Sequence, residues 1–144
     1  MYPSPKGLGF TASGIKDAWA IDISEKFDLL TSNGLAFYEP NDTKVIALYR
    51  QFYNALKSTG ILVTSFLTPP PSPGLVTEWK LDHINAQNAL LQKILFFNIL
   101  DSKWQAFRTE ATVKSQLHQA GFQEIEVFYD EAHMFPTIVA KKSS

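Results

Sequence analysis

The sequence contains no cysteine, and this absence excludes a disulfide framework, a thiolate nucleophile and a zinc site built on cysteine. It also has no excess of one charge, because 13 basic and 14 acidic residues leave a formal net charge of −1 at pH 7. A chain this close to neutrality carries no general electrostatic attraction to nucleic acid or to an anionic membrane. We therefore expect neither of these as a partner.

Long apolar runs are absent as well. No stretch of about 18 apolar residues occurs, so the sequence predicts no transmembrane helix. The first residues, Tyr2–Gly7, contain no continuous apolar core of the kind that marks a signal peptide. We expect a cytoplasmic protein.

The composition that remains is that of a globular domain. The chain has 144 residues, of which 45% are hydrophobic and 13% aromatic, enough to form one buried core. Residues 1–14 are rich in proline, glycine, serine and threonine, which predicts a flexible arm. We expect residues 15–144 to form a single domain.

A βαβ unit is the central prediction. Phe27–Leu30 is a short apolar run typical of a buried strand, and the polar residues Thr31–Gly34 then turn the chain. From Asp42 to Lys57 the apolar residues recur with helical spacing, and Lys57–Gly60 has the composition of a helix end. Ile61–Phe66 is almost wholly apolar, as central parallel strands are.

The rest of the chain is predicted to attach to this unit. Trp19, Ile21 and Ile23 alternate with other residues and could form a short edge strand. Downstream the patterns predict a stiff proline-rich loop, a broadly apolar helix, a second helix capped by Thr109 and Gly121, and two antiparallel strands. The predicted ranges of these elements are Thr68–Gly74, Ile84–Leu100, Thr109–Ala120, Glu124–Tyr129 and Thr137–Lys141.

Four segments in order resemble the carboxyl-terminal half of class I S-adenosylmethionine-dependent methyltransferases. Lys16-Asp-Ala-Trp19 is similar to the family's segment after strand 3, and Phe27–Leu35 to its strand-4 motif. Leu56-Lys-Ser-Thr-Gly-Ile-Leu-Val63 resembles the start of strand 5, and Ser115–Phe122 the link into strand 6. The resemblance covers about residues 14–142. It implies an α/β fold: a partial Rossmann-like sheet with strands 4 and 5 parallel, an antiparallel carboxyl-terminal hairpin and flanking helices.

The resemblance also implies S-adenosylmethionine as cofactor and supplies candidate site residues. Asp17 would accept a hydrogen bond from the adenine amino group beside Ala18, although a solvated loop aspartate is the alternative. Ser32, Asn33 and Gly34 would line the cleft for cofactor and methyl transfer, or serve as a plain turn. Two further residues could touch substrate or simply pack, namely Tyr38 and Glu39. Catalysis would depend on positioning more than on acid–base chemistry.

The family's amino-terminal half has no counterpart in this sequence. Gly7-Leu8-Gly9 lies in the arm and does not form the Gly-x-Gly-x-Gly turn that lets the backbone approach the cofactor. We therefore expect a methyltransferase-like protein that is incomplete and inactive alone. The alternative is a non-catalytic interaction module derived from a methyltransferase. Strand 4 would have an exposed edge, which predicts a homodimer or pairing with a separate chain. The chain could also be a fragment of a longer enzyme.

Histidine and tryptophan are two further residue types that could have a functional role. His83, His118 and His133 fall on different predicted elements, so the sequence predicts no metal site. Trp79 and Trp104 flank the helix predicted at Ile84–Leu100, where they could anchor a lid over the cleft. Packing is favoured over ligand stacking for both.

Overall fold

The computed structural model describes residues 17–74, 77–102 and 106–144. The predicted arm at 1–14, Lys16 and Trp104 lie outside the described residues. Short 3-10 turns at Leu35–Tyr38 and Leu81–His83 supplement the main elements. In chain order these are β1 (Phe27–Ser32), α1 (Asp42–Ala55), β2 (Leu56–Ser65), α2 (Ala86–Lys93) with a π-helical continuation (Ile94–Ile99), α3 (Glu110–Ala120), β3 (Glu124–Phe128) and β4 (Thr137–Lys141).

The four strands form one sheet in the order β1-β2-β4-β3. β1 runs parallel to β2, with Leu30 opposite Leu62, and α1 connects the two strands. β4 is antiparallel to both β2 and β3. The predicted α/β architecture, with one parallel pair and an antiparallel carboxyl-terminal hairpin, is therefore confirmed.

One face of the sheet carries the core. The apolar side of α1 is almost completely buried, as its spacing predicts, and α3 packs beside it. The caps of α3 are also as predicted: the Thr109 hydroxyl accepts from the Thr112 N–H at 3.2 Å, and Gly121 has a φ of 122°. The largest buried side chains include Leu48, Tyr49, Leu62, Leu117, Phe122 and Ile138.

The predicted helix end at Lys57–Gly60 is wrong. α1 ends at Ala55, because the N–H groups of Glu25 and Lys26 donate to the carbonyls of Asn54 and Ala55 at 2.8 and 2.9 Å. These bonds satisfy carbonyls at the helix end and lead β1 directly alongside β2. The residues 57–60 form a bulge in β2, since Phe27 pairs with Leu56 and Leu29 with Ile61.

Three other predictions need correction. Trp19–Ile23 contains no strand. Phe27–Leu30 is a strand, but an exposed one: Leu29 keeps 58% of its surface accessible, and β1 pairs only with β2 among the described residues. The helix predicted at Ile84–Leu100 extends only over Ala86–Ile99, and its carboxyl-terminal turns are π-helical. None of its residues is buried.

The bulge depends on Gly60. A Cβ on this residue would lie 2.8 Å from the Lys57 carbonyl oxygen and 3.1 Å from the Leu56 Cβ. The bulge is also joined to the carboxyl terminus, because Lys142 N–H donates to the Gly60 carbonyl at 2.9 Å. Backbone must therefore move to admit any side chain here.

We expect Gly60→Ala to lower the free energy of unfolding by roughly 1–3 kcal/mol, the usual cost of forcing atoms into a packed site. Urea denaturation monitored by circular dichroism measures the change. Ser58→Ala is the matched control, since Ser58 is exposed in the same bulge and its replacement should cost less than about 0.5 kcal/mol. Equal stability of the two variants would contradict the role given to Gly60.

Candidate functional site

The turn that follows β1 lies at the carboxyl edge of the parallel strands. Gly34 has a φ of 80°, and its carbonyl accepts from the Phe37 N–H at 3.0 Å. The turn is fastened to β2: the Ser65 hydroxyl donates to Asn33 Oδ1 at 2.9 Å, and the Thr64 hydroxyl to the Ser32 carbonyl at 2.8 Å. Gly34 thus has the positive φ of the predicted turn. Two hydrogen bonds to β2 hold the same turn at the edge where open α/β sheets bind ligands.

Two cavities open at this turn. The smaller, about 230 Å³, is lined by the turn and the ends of β1, β2 and β4, and it includes Ser32 and Asn33. The larger, about 350 Å³, is called the aromatic cavity here. Its lining residues are Asn33, Gly34, Phe37, Tyr38, Gln92, Phe96 and Phe135. The structure therefore brings Asn33, Gly34 and Tyr38 of the predicted site together.

Asp17 and Ala18 lie on a separate segment that packs on α1. The Asp17 carboxylate accepts from the Trp19 N–H at 2.9 Å, which forms a local turn. Gln51 holds the segment at two points: its side-chain amide donates to the Trp19 carbonyl at 2.9 Å and accepts from the Ile21 N–H at 2.6 Å. Asp17 and Ala18 themselves are exposed.

Glu39 lines a cavity beside this second segment, whereas its chain neighbour Tyr38 lines the aromatic cavity. It lines a cavity of about 340 Å³ together with Trp19, Lys44 and Gln51. A hydrogen bond from the Asn41 N–H at 2.9 Å and an ion pair with Lys44 at 3.3 Å lower the pKa of the Glu39 carboxyl. The carboxylate is therefore ionised at neutral pH and engaged at the start of α1.

Arg108 is one of the residues of the candidate site that sequence reasoning missed, together with Gln51 and most of the lining of the aromatic cavity. Its guanidinium is buried and donates to the Ala36 carbonyl at 3.0 Å, to the Glu39 carbonyl at 2.7 Å and to the Asp42 carboxylate at 2.9 Å. Its backbone N–H also donates to the Leu67 carbonyl at 2.8 Å. Arg108 thus fixes the loop that carries Tyr38 and Glu39 against the end of β2. The only hint in the sequence is an arginine directly before a helix cap.

Trp79 holds the loop that follows β2. Its indole N–H donates to the hydroxyl of the buried Thr68 at 2.9 Å, and that hydroxyl donates to the His133 carbonyl at 2.6 Å. The tryptophan therefore has a packing role, in agreement with the reading favoured from the sequence.

Among the described residues no group of three histidines or carboxylates is placed to hold a metal ion. None of the described helices is long and apolar enough to cross a membrane.

No protein-family model and no curated protein matches the chain. Solved structures do match it. A possible exported protein from Bordetella parapertussis is 46% identical with a TM-score of 0.78, over 90% of this chain and 43% of that one. Human N-acetylserotonin methyltransferase in complex with S-adenosylmethionine is 19% identical with a TM-score of 0.57, over 90% of this chain and 33% of the enzyme.

A third similar structure is an S-adenosylmethionine-dependent methyltransferase from Methanosarcina mazei. It is 11% identical with a TM-score of 0.56, over 89% of this chain and 65% of that one. These matches show that the fold is class I methyltransferase-like. The chain spans less than half the length of the Bordetella protein and about a third of the human enzyme.

The Arg108 contacts predict a large effect of their removal. We expect Arg108→Ala to lower the free energy of unfolding by about 2–4 kcal/mol, because two loop carbonyls and the Asp42 carboxylate lose a charged donor. Urea denaturation checks the change. Lys114→Ala removes an ion pair on the surface of α3 and should cost less than about 1 kcal/mol. A small effect of the Arg108 variant would contradict its role in fixing the loop.

Proposed function

We propose that this chain, whose fold is class I methyltransferase-like, forms the acceptor side of an S-adenosylmethionine-dependent methyltransferase. One observation carries the proposal: the turn Ser32–Gly34 lies at the carboxyl edge of a parallel βαβ unit, and its residues Asn33 and Gly34 line the aromatic cavity. Ligands of open α/β sheets bind at this edge. The cavities and the loop-positioning contacts at this edge suit a transfer that depends on placing the reactants.

The residues present fit one part of the cofactor. The exposed carboxylate of Asp17 can accept a hydrogen bond from the adenine amino group, and Ala18 is exposed beside it. Ser32–Gly34 offers backbone groups at the end of β1. The described glycines are isolated and form no Gly-x-Gly-x-Gly turn. Close contact with the methionine part would therefore come from another segment or chain, and we propose that methyl transfer requires it.

S-adenosylmethionine, when bound, supplies an electrophilic methyl group on sulfur. The contribution of this chain is to orient the acceptor. Asn33 and Tyr38 line the aromatic cavity, while Gly34 allows the backbone to turn sharply beside it. Arg108 keeps this loop in place from behind. Such positioning is the main requirement for an in-line transfer.

The exposed edge of β1 supports a second candidate function, a non-catalytic interaction module. Leu29 and Phe27 are exposed apolar residues on this strand, and a strand with an open apolar edge pairs readily with another chain. We propose a second copy as the occupant when the chain is alone. A cytoplasmic location stays a prediction from the sequence.

Cofactor binding is tested by titrating S-adenosylhomocysteine into the chain and following backbone amide shifts by NMR. We expect shifts at Asp17, Ala18 and Ser32–Gly34, with a dissociation constant weaker than micromolar, because only part of the site is present. Asp17→Ala should abolish the shifts, whereas Asp22→Ala, an exposed aspartate on the same segment, should leave them unchanged. A folded chain without shifts at millimolar ligand would contradict the methyltransferase proposal and leave the interaction module.

Pairing through β1 is tested by light scattering. We expect a dimer of the 16.2 kDa chain that Leu29→Lys converts to a monomer, since a charge on an edge strand opposes pairing. Phe128→Lys is the matched control, because Phe128 is similarly exposed but lies on the opposite edge strand, β3. A monomeric wild-type chain, or equal loss of dimer in both variants, would contradict pairing through β1.

A further inference from the structure

The aromatic cavity has an unusually uniform lining. Four of its seven residues carry aromatic rings: Phe37, Tyr38, Phe96 and Phe135. The rings of Phe37 and Phe135 are tilted by 49°, with centroids 6.3 Å apart. Rings set at such angles can offer both faces and edges to a bound ring. The volume of about 350 Å³ lies near the lower end of the range for small-molecule sites.

None of the lining residues is charged. An anionic ligand group would lose part of its water on entering and find no positive counter-charge among these side chains, which is unfavourable. The cavity therefore selects against carboxylates and phosphates. This charge selection distinguishes it from the neighbouring cavity that contains Glu39 and Lys44.

The polar groups of the lining are the Tyr38 hydroxyl and two side-chain amides, and the amides are the groups considered for binding a ligand oxygen. Asn33 Oδ1 already accepts from the Ser65 hydroxyl at 2.9 Å, so its amide nitrogen is the group left to donate toward a ligand. Gln92 contributes a second amide from α2. Together they can bind an uncharged oxygen, such as a hydroxyl or a carbonyl, and fix the direction of a ring.

The wall that carries Gln92 and Phe96 is the helix Ala86–Ile99, none of whose residues is buried. Phe96 alone within this range is not exposed, and it lines the cavity. The helix becomes π-helical over Ile94–Ile99, the turns that contain Phe96. Such π-helical turns occur frequently at functional sites.

We propose that the aromatic cavity binds a planar aromatic small molecule that carries a hydroxyl or carbonyl oxygen and no anionic group. Its identity as the methyl acceptor rests on the proposed function, but the binding itself does not. The rings of the lining would contact the faces and edge of the ligand, and Asn33 and Gln92 would bind its oxygen. The helix Ala86–Ile99 would close the cavity through Phe96.

The test uses the full chain without cofactor and three matched probes: 4-ethylphenol, its saturated analogue 4-ethylcyclohexanol, and the anion 4-hydroxyphenylacetate. Binding is measured by NMR titration of the backbone amides. We expect 4-ethylphenol to shift the amides of the cavity residues. The saturated analogue should bind about 2- to 10-fold more weakly, because it lacks ring–ring contacts. The anion should bind more weakly still.

Variants on the helix Ala86–Ile99 distinguish an effect on ligand binding from an effect on folding. Phe96→Ala should weaken 4-ethylphenol binding about 10-fold or more, and Leu91→Ala, an exposed residue of the same helix outside the lining, should leave it unchanged. Gln92→Lys should reverse the preference and favour 4-hydroxyphenylacetate, because it adds the missing counter-charge. Thermal unfolding of each variant confirms that the fold is retained.

The outcomes are distinct from those of the cofactor titration. Shifts with S-adenosylhomocysteine but none with 4-ethylphenol would overturn this proposal and leave the proposed function standing. Binding of 4-ethylphenol without cofactor binding would support the site and oppose methyl transfer. Equal binding of the three probes, or an effect of Leu91→Ala equal to that of Phe96→Ala, would also overturn it.

Discussion

The buried guanidinium of Arg108 is the interaction on which the geometry of the site depends. It binds two carbonyls of the loop after β1 and the carboxylate at the start of α1, while its own N–H binds the chain that leaves β2. A buried arginine needs several acceptors to offset the loss of water, and all of these acceptors come from the continuous stretch Ala36–Asp42. The candidate residues Tyr38 and Glu39 are therefore placed by a side chain almost seventy positions away.

Local patterns predicted those parts of the fold that local forces determine. The buried face of α1 follows from apolar spacing, and the ends of α3 follow from Thr109 and Gly121, whose side chain or φ acts on adjacent residues. The end of α1 was predicted wrongly for the opposite reason. Lys57 and Gly60 have the composition of a helix end, but α1 ends five residues before Gly60, where its last carbonyls accept hydrogen bonds from Glu25 and Lys26. Bonds between residues so far apart in the chain cannot be predicted from a short stretch of sequence.

The candidate site shows the same division. Ser32–Gly34 could be placed at the sheet edge, because a polar turn after an apolar strand is a local pattern. The separation of Tyr38 from its neighbour Glu39 could not be foreseen, since it follows from contacts of Glu39 with Lys44 and of Tyr38 with the aromatic cavity. Gln51 was missed for a similar reason: it binds the backbone of Trp19 and Ile21 through an amide on the polar flank of α1.

The exposure of the helix Ala86–Ile99 has an evolutionary consequence. Because none of its residues is buried, substitutions at Gln92 and Phe96 would change the wall of the aromatic cavity while costing the core almost nothing. Stability and the shape of this cavity are thereby set by different residues of one chain. A protein built in this way can acquire a new ligand through drift on its outer helix, without first accumulating compensating mutations in the sheet.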